Sequence, residues 1–204
     1  MLSVHDLAVA RGGETVLAGL NFYVPSGCVL ILRGPNGIGK TTLLRTLVGL
    51  QDAVTGRFEY PRDEGAYASH DDAVKTALSV EENLHFWANV YGKTVPNTIW
   101  ERFDIGHLRT RIAGTLSAGQ KRRLGLARLG VIKRKVLFLD EPTVSLDGFS
   151  VKLFTDYLRE QHLAQGGVAV IATHIDLDLV ATTYELGPFA VTGHHGGTGD
   201  EAFL

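Results

Sequence analysis

Residues Gly34-Pro35-Asn36-Gly37-Ile38-Gly39-Lys40-Thr41 match GxxxxGK[ST] and lie between the apolar run Cys28 to Leu32 and the helix-like stretch Thr41 to Leu50. The local chain course is therefore tightly constrained: a buried strand must end, the backbone must curl, and a helix must begin at once. Glycines allow a curl whose N–H groups face a polyphosphate. Lys40 is spaced to reach the β and γ phosphates, and the Thr41 hydroxyl to hold Mg²⁺. A Gly-rich turn that merely joined strand to helix would need neither the lysine nor the hydroxyl after it. The segment implies a nucleoside triphosphate.

At 204 residues the chain fits a single α/β domain with an inserted subdomain and a sizeable core. Its longest apolar stretches, Cys28 to Leu32 and Val168 to Ala172, are strand length and fall far short of the roughly 20 residues that a spanning helix needs. No direct membrane insertion is expected, so any transport needs a separate membrane subunit. No charged-then-apolar signal opens the sequence, and the one cysteine, Cys28, has no partner for an internal disulfide. A reducing cytoplasm is the expected compartment. A net charge of −2 argues against nucleic acid as a partner. Lys121, Arg122, Arg123 and Arg128, followed by Lys133, Arg134 and Lys135, form a local basic exception. It reads either as a solvated helix face with a basic loop or as a contact with nucleotide phosphates or a partner.

Residues 2 to 9 and 15 to 24 alternate apolar with polar, as two edge-type strands joined at Gly12-Gly13 would. Cys28 to Leu32 is continuously apolar, as a buried parallel strand should be. Gly56 to Tyr60 and Ala66 to Ser69 are short strand candidates. From about residue 71 to 128 the pattern turns helical, which reads as an inserted helical subdomain between two parts of a nucleotide-binding core, 1–70 and 129–204. Ser79 and Glu82 have capping-box spacing, and Val80, Leu84, Trp87, Ala88 and Tyr91 follow at helical intervals until Gly92. Trp87 and Trp100 both fall in this stretch and read either as its core or as an aromatic groove for a membrane partner. Asp147 can cap a helix running to about Ala164, and Val168 to Thr173 is a further buried strand. His194-His195 in the Gly-rich tail reads as a surface turn.

Three later segments decide among the kinases, GTPases, helicases and transport ATPases that share such a loop. Leu116-Ser117-Ala118-Gly119-Gln120 opens a helix-like stretch, Val136-Leu137-Phe138-Leu139-Asp140-Glu141 is an apolar strand ending in two acids, and His174 follows Val168 to Thr173. In that order, over nearly the whole chain, they resemble the ABC-transporter ATPase family. The fold this implies is an α/β P-loop NTPase core with an antiparallel β subdomain and an inserted α-helical subdomain. The wording GPNGIGKTTLLRTLVGL, SVEENLHFW, LSAGQKRRLGLARL and LDEPTVSLD looks more narrowly like the ATP-binding subunit family of the haem exporter used in bacterial cytochrome c maturation. That resemblance implies an integral membrane transporter subunit as partner and a peripheral position on the cytoplasmic face of the inner membrane.

The roles follow from motif chemistry and resemblance together. The loop Gly34 to Thr41, with Lys40, neutralises the β and γ phosphates of ATP, Thr41 binds Mg²⁺, and Thr42 reaches the α phosphate. Asp140 holds the metal through water, Glu141 is the candidate general base for the attacking water, and His174 is by resemblance the switch histidine at the γ phosphate. Ser117 and Gln120 again have capping-box spacing, so Ser117, Gly119 and Gln120 mark a helix N-terminus that attracts anions. In the family this end faces ATP held by a second copy, which makes the competent enzyme a head-to-tail dimer, with Ser145-Leu146-Asp147 resembling the loop that crosses the interface. Two positions depart from the family pattern. Arg11 stands where an aromatic usually stacks on adenine, and Ser69-His70-Asp71-Asp72 lacks the usual glutamine, leaving Asp71 as the positional match near the metal. A soluble ABC ATPase acting on DNA or ribosomes would usually carry coiled-coil insertions or paired ATPase domains, and a non-hydrolysing module would not need Glu141 and His174.

Overall fold

A computed structural model describes residues 1–69 and 72–191. Asp71, the expected metal neighbour, and His194-His195 lie outside the described residues.

The chain begins as a hairpin of β1 (Leu2–Arg11) and β2 (Glu14–Val24), turned by Gly12 and Gly13. β3 (Val29–Arg33) leads through the glycine loop into α1 (Lys40–Leu47), and β4 (Thr55–Glu59) and β5 (Gly65–Ala68) follow. Next come α2 (Val80–Val90), the single turn α3 (Ile99–Arg102) and the long α4 (Ala118–Ile132). The chain then forms β6 (Val136–Asp140), α5 (Gly148–Tyr157), β7 (Val168–Ala172) and β8 (Thr182–Glu185).

The strands make two sheets. One is antiparallel, ordered β2-β1-β4, and the other is parallel, ordered β5-β6-β7-β3-β8. Reading β1 as an edge strand is therefore corrected. It is the middle strand, because β4 arrives some 44 residues later and pairs its free side, Val4 opposite Phe58.

The continuous apolarity of β3, β6 and β7 follows from burial on both faces. Leu30, Leu32, Val136, Phe138, Val168 and Val170 face α1 and the antiparallel sheet. Val29, Ile31, Leu137, Leu139, Ala169 and Ile171 face the helices α2, α4 and α5. α4 shows no clean stripe for the same reason, since every residue from Leu124 to Ile132 is buried. Gly125 is required there: a Cβ would lie 2.6 Å from the Asp72 carbonyl oxygen, so the segment leaving β5 lies directly on the helix.

The expected helix after Asp147 is present, and the Asp147 carboxylate accepts from the Ser150 N–H at 2.8 Å. It does not run uniformly to Ala164. α5 loosens into a π-helical turn (Leu158–His162) and a 3₁₀ turn (Leu163–Gln165) before Gly166 ends it with a left-handed φ. Both expected capping boxes form: Ser79 with Glu82 at the start of α2, and Ser117 with Gln120 at the start of α4. Trp100 is 7% exposed within the core shared with Phe103 and Ile105, which excludes it as an exposed docking aromatic. Trp87 is half-buried, its indole N–H donating to the Ala73 carbonyl at 3.3 Å.

Candidate active site

Three neighbouring strands of the parallel sheet, β6, β7 and β3, deliver the candidate chemistry at their carboxyl ends. That edge is where open α/β sheets hold their ligands. The glycine loop leaves β3, Asp140 is the last residue of β6, and His174 follows β7 by two residues. A cleft of about 430 Å³ opens there. Arg11, Asn36, Gly37, Gly39, Lys40, Thr41, Thr42, Asp140 and Glu141 line it, together with Arg45 and Gln51.

Within the loop, Gly34, Gly37 and Gly39 take φ of 150°, 82° and 122°, a left-handed course that side chains rarely follow. A Cβ on Gly39 would also come within 3.0 Å of Leu17. The Lys40 ammonium donates to the carbonyls of Gly34 at 2.7 Å and Pro35 at 3.2 Å, so the loop wraps around its own lysine. Burial holds the Lys40 pKa below the ordinary lysine range, while the nearby Glu141 and Asp140 charges oppose that shift. Ile38 does not face the cleft; it packs against the apolar core under the loop. Thr41 is exposed at the start of α1 and Thr42 is buried.

Asp140 is 7% exposed and accepts from the Tyr67 hydroxyl at 3.1 Å. Burial and the Asp140 carboxylate push the Tyr67 pKa up to about 12, so the phenol stays a neutral donor. Glu141, directly after β6, adopts a left-handed φ of 48° that breaks the extended course of the strand. Its N–H donates to the Ala172 carbonyl at 2.9 Å, and its carboxylate lies 3.3 Å from His174 Nε2. Arg33, the last residue of β3, steadies the segment carrying that histidine. Its guanidinium donates to the Thr173 carbonyl at 2.7 Å, the Ile175 carbonyl at 3.2 Å and the Asp176 carboxylate at 2.6 Å.

Ser117, Gly119 and Gln120 do not line this cleft. They open α4 beside the Ser145 segment, where a Cβ on Gly119 would meet the Ser145 carbonyl oxygen at 3.2 Å. The basic cluster divides: Arg122 and Arg128 are buried at 3% and 9% exposure, whereas Lys133 and Lys135 in the following loop are exposed. Arg122 bonds carbonyls of its own chain and so is committed away from phosphates, and Arg128 stacks 4.8 Å above the Trp87 ring. Sequence reasoning missed Arg33, Tyr67, Arg45, Gln51 and the role of Arg122. For Arg33 a signal existed: a charge closing an otherwise apolar buried strand must find partners.

A family model described as ABC transporter matches residues 17–144. The chain belongs to the ABC transporter family. Its similarity is strong to the cytochrome c biogenesis ATP-binding export protein CcmA of Ruegeria pomeroyi, 58% identical over 92% of this chain and 92% of that one. The Rhodobacter capsulatus protein of the same description is 52% identical over 100% of this chain and 97% of its own. Among solved structures of this family, an ABC transporter ATP-binding protein from Pyrococcus furiosus superposes with a TM-score of 0.82 at 26% identity, over 93% of this chain and 99% of that one. CbiO1 of Clostridium perfringens, part of the ABC transporter complex CbiONQ, gives a TM-score of 0.72 at 28% identity, covering 87% and 80%.

Proposed function

We propose that this chain is the ATP-hydrolysing subunit of the ABC exporter of bacterial cytochrome c biogenesis, coupling hydrolysis to release of haem or a haem-loaded chaperone. The observation that carries the hydrolytic reading is the convergence of Lys40, Asp140, Glu141 and His174 at one edge of the parallel sheet. The cytochrome c context rests on the full-length similarity to the CcmA proteins.

Lys40 and the loop N–H groups of residues 34 to 41 hold the β and γ phosphates of ATP. Thr42 serves the α phosphate, and Arg11 at the cleft mouth stacks its guanidinium on the base. Glu141 takes a proton from the attacking water as it reaches the γ phosphorus, and His174, within reach of that carboxylate, orients it and contacts the γ phosphate. The hard oxygen donors Thr41 and Asp140, both lining the cleft, suit Mg²⁺, and they are the residues that would hold it. When bound, the ion neutralises charge on the phosphate oxygens.

The capped start of α4 supports a second copy as partner. Ser117, Gly119 and Gln120 form a capped N-terminus suited to an anion, yet lie away from the cleft of their own chain. Pairing head to tail brings each such terminus to the ATP of the other copy. Among the described residues no helix is long and apolar enough to cross a membrane. The membrane-spanning work belongs to a separate subunit, with this chain peripheral on the cytoplasmic face of the inner membrane.

The test is ligand-induced stabilisation. ATP with Mg²⁺ at 100-fold excess over Kd should add about 2.7 kcal/mol, raising Tm by roughly 5–10 °C. Lys40→Ala should abolish the shift; an equal shift in the variant would overturn the assignment of the cleft.

A further inference from the structure

Arg122 is 3% exposed on α4, two residues beyond the Ser117–Gln120 capping box, and every arm of its guanidinium is engaged. Nε donates to the Pro142 carbonyl at 2.8 Å and Nη2 to the Glu141 carbonyl at 2.8 Å. Nη1 donates to the Ser69 carbonyl and, at 3.0 Å, to the Asp72 carboxylate. One side chain therefore joins the start of α4, the backbone of the candidate base, Ser69 and Asp72.

We propose that Arg122 is a positioning residue for hydrolysis, holding the Glu141 carboxylate at the phosphate end of the cleft and tying its pose to the chain at Ser69 and Asp72. This rests on the hydrolytic reading given above. The physical need lies in the backbone of Glu141, whose φ of 48° is a conformation that a glutamate keeps only when its surroundings enforce it. Its N–H is fixed by the Ala172 carbonyl, and the carbonyl on the other side is fixed by Arg122. Because Pro142 follows, the relaxed alternative is extended backbone. That change would rotate the carboxylate out of the cleft and away from His174. The guanidinium fork serves three carbonyls and a carboxylate at once; a lysine ammonium is a point charge that cannot span them. Gly125 completes the device, since its missing Cβ lets the Asp72 backbone lie within reach of the helix. A load on the segment at Ser69 and Asp72 is thereby transmitted to Glu141 through a single side chain.

The test compares wild-type, Arg122→Gln and Arg122→Lys chains, each with the co-purified membrane partner, for ATP turnover and for ATP-induced thermal stabilisation. Misplacing the base by about 1 Å costs on the order of 10²-fold. Arg122→Gln should lower kcat by about that factor with KM for ATP nearly unchanged, and Arg122→Lys should recover little of it. In a Glu141→Gln background, Arg122→Gln should cost almost nothing further, because the group it positions is already gone. An equal proportional loss in both backgrounds, or unchanged kcat, overturns the proposal. If Arg122→Gln does not fold, Asp72→Asn provides the alternative, since it loosens one anchor at a partly exposed site: a several-fold kcat loss supports the tie, and wild-type kcat refutes it. Wild-type protein that binds ATP without turnover would instead overturn the hydrolytic reading.

Discussion

Replacing Trp100 by alanine should lower the melting temperature by about 6–20 °C. The indole is 7% exposed and belongs to the core that contains Phe103, Ile105 and the α4 residues Leu124 and Leu126. The Arg109 guanidinium sits 4.4 Å from the centroid of its ring, so truncation would also remove that cation–π contact. Removing a core tryptophan costs about 3–5 kcal/mol, and a chain of this size loses about 2–4 °C per kcal/mol. Set against a total stability of about 5–15 kcal/mol, this approaches the limit that the domain tolerates. Circular dichroism melts of wild type and Trp100→Ala measure the effect. A drop below about 3 °C would refute the packing argument and restore the reading of Trp100 as a docking anchor, for which partner binding would be lost with the melt intact.

Burial holds the His162 pKa below its ordinary value, outweighing the contact of its Nε2 with the Val168 carbonyl. The unfolded chain therefore takes up a proton first as pH falls below about 6.5, and stability present above that pH is lost toward the folded value. Tm should decline from pH 7 to pH 5.5, and less steeply in His162→Gln; parallel profiles would remove His162 as the cause. Ser117→Ala removes the acceptor of the Gln120 N–H and should cost about 1 kcal/mol, or 2–4 °C. It should also slow hydrolysis while leaving ATP binding by the single chain intact, so a loss of binding would contradict the assignment of this helix end to the second copy.

What the sequence made legible was local. The loop from Gly34 to Thr41, the acid-terminated run Val136 to Glu141 and the two capping boxes each encode their geometry within a few residues, and the structure forms each where expected. What escaped depended on distant partners. β1 looked like an edge until β4 paired with it, and Arg122 and Arg128 stood open between a solvated face and a phosphate or partner contact, because nothing near them in sequence announces the carbonyls of Ser69, Glu141 and Tyr67 that accept their hydrogen bonds. Trp100 was undecided on similar grounds: a tryptophan in a helical stretch has the same local pattern whether it packs inward or waits for a partner. The left-handed turn at Glu141 is likewise held from a distance, by the Ala172 carbonyl and by Arg122, against the extended preference that Pro142 sets.

The central claim is that two copies close head to tail on ATP and that Glu141 drives the hydrolysis that reopens them. Glu141→Gln nearly preserves shape while removing the base, and should cut turnover by about 10² to 10⁴-fold with ATP binding retained. Sedimentation velocity of this variant at saturating ATP and Mg²⁺ should then show a dimer that reverts to monomer when nucleotide is removed. A variant that demonstrably binds ATP yet sediments as a monomer at every concentration would contradict the account.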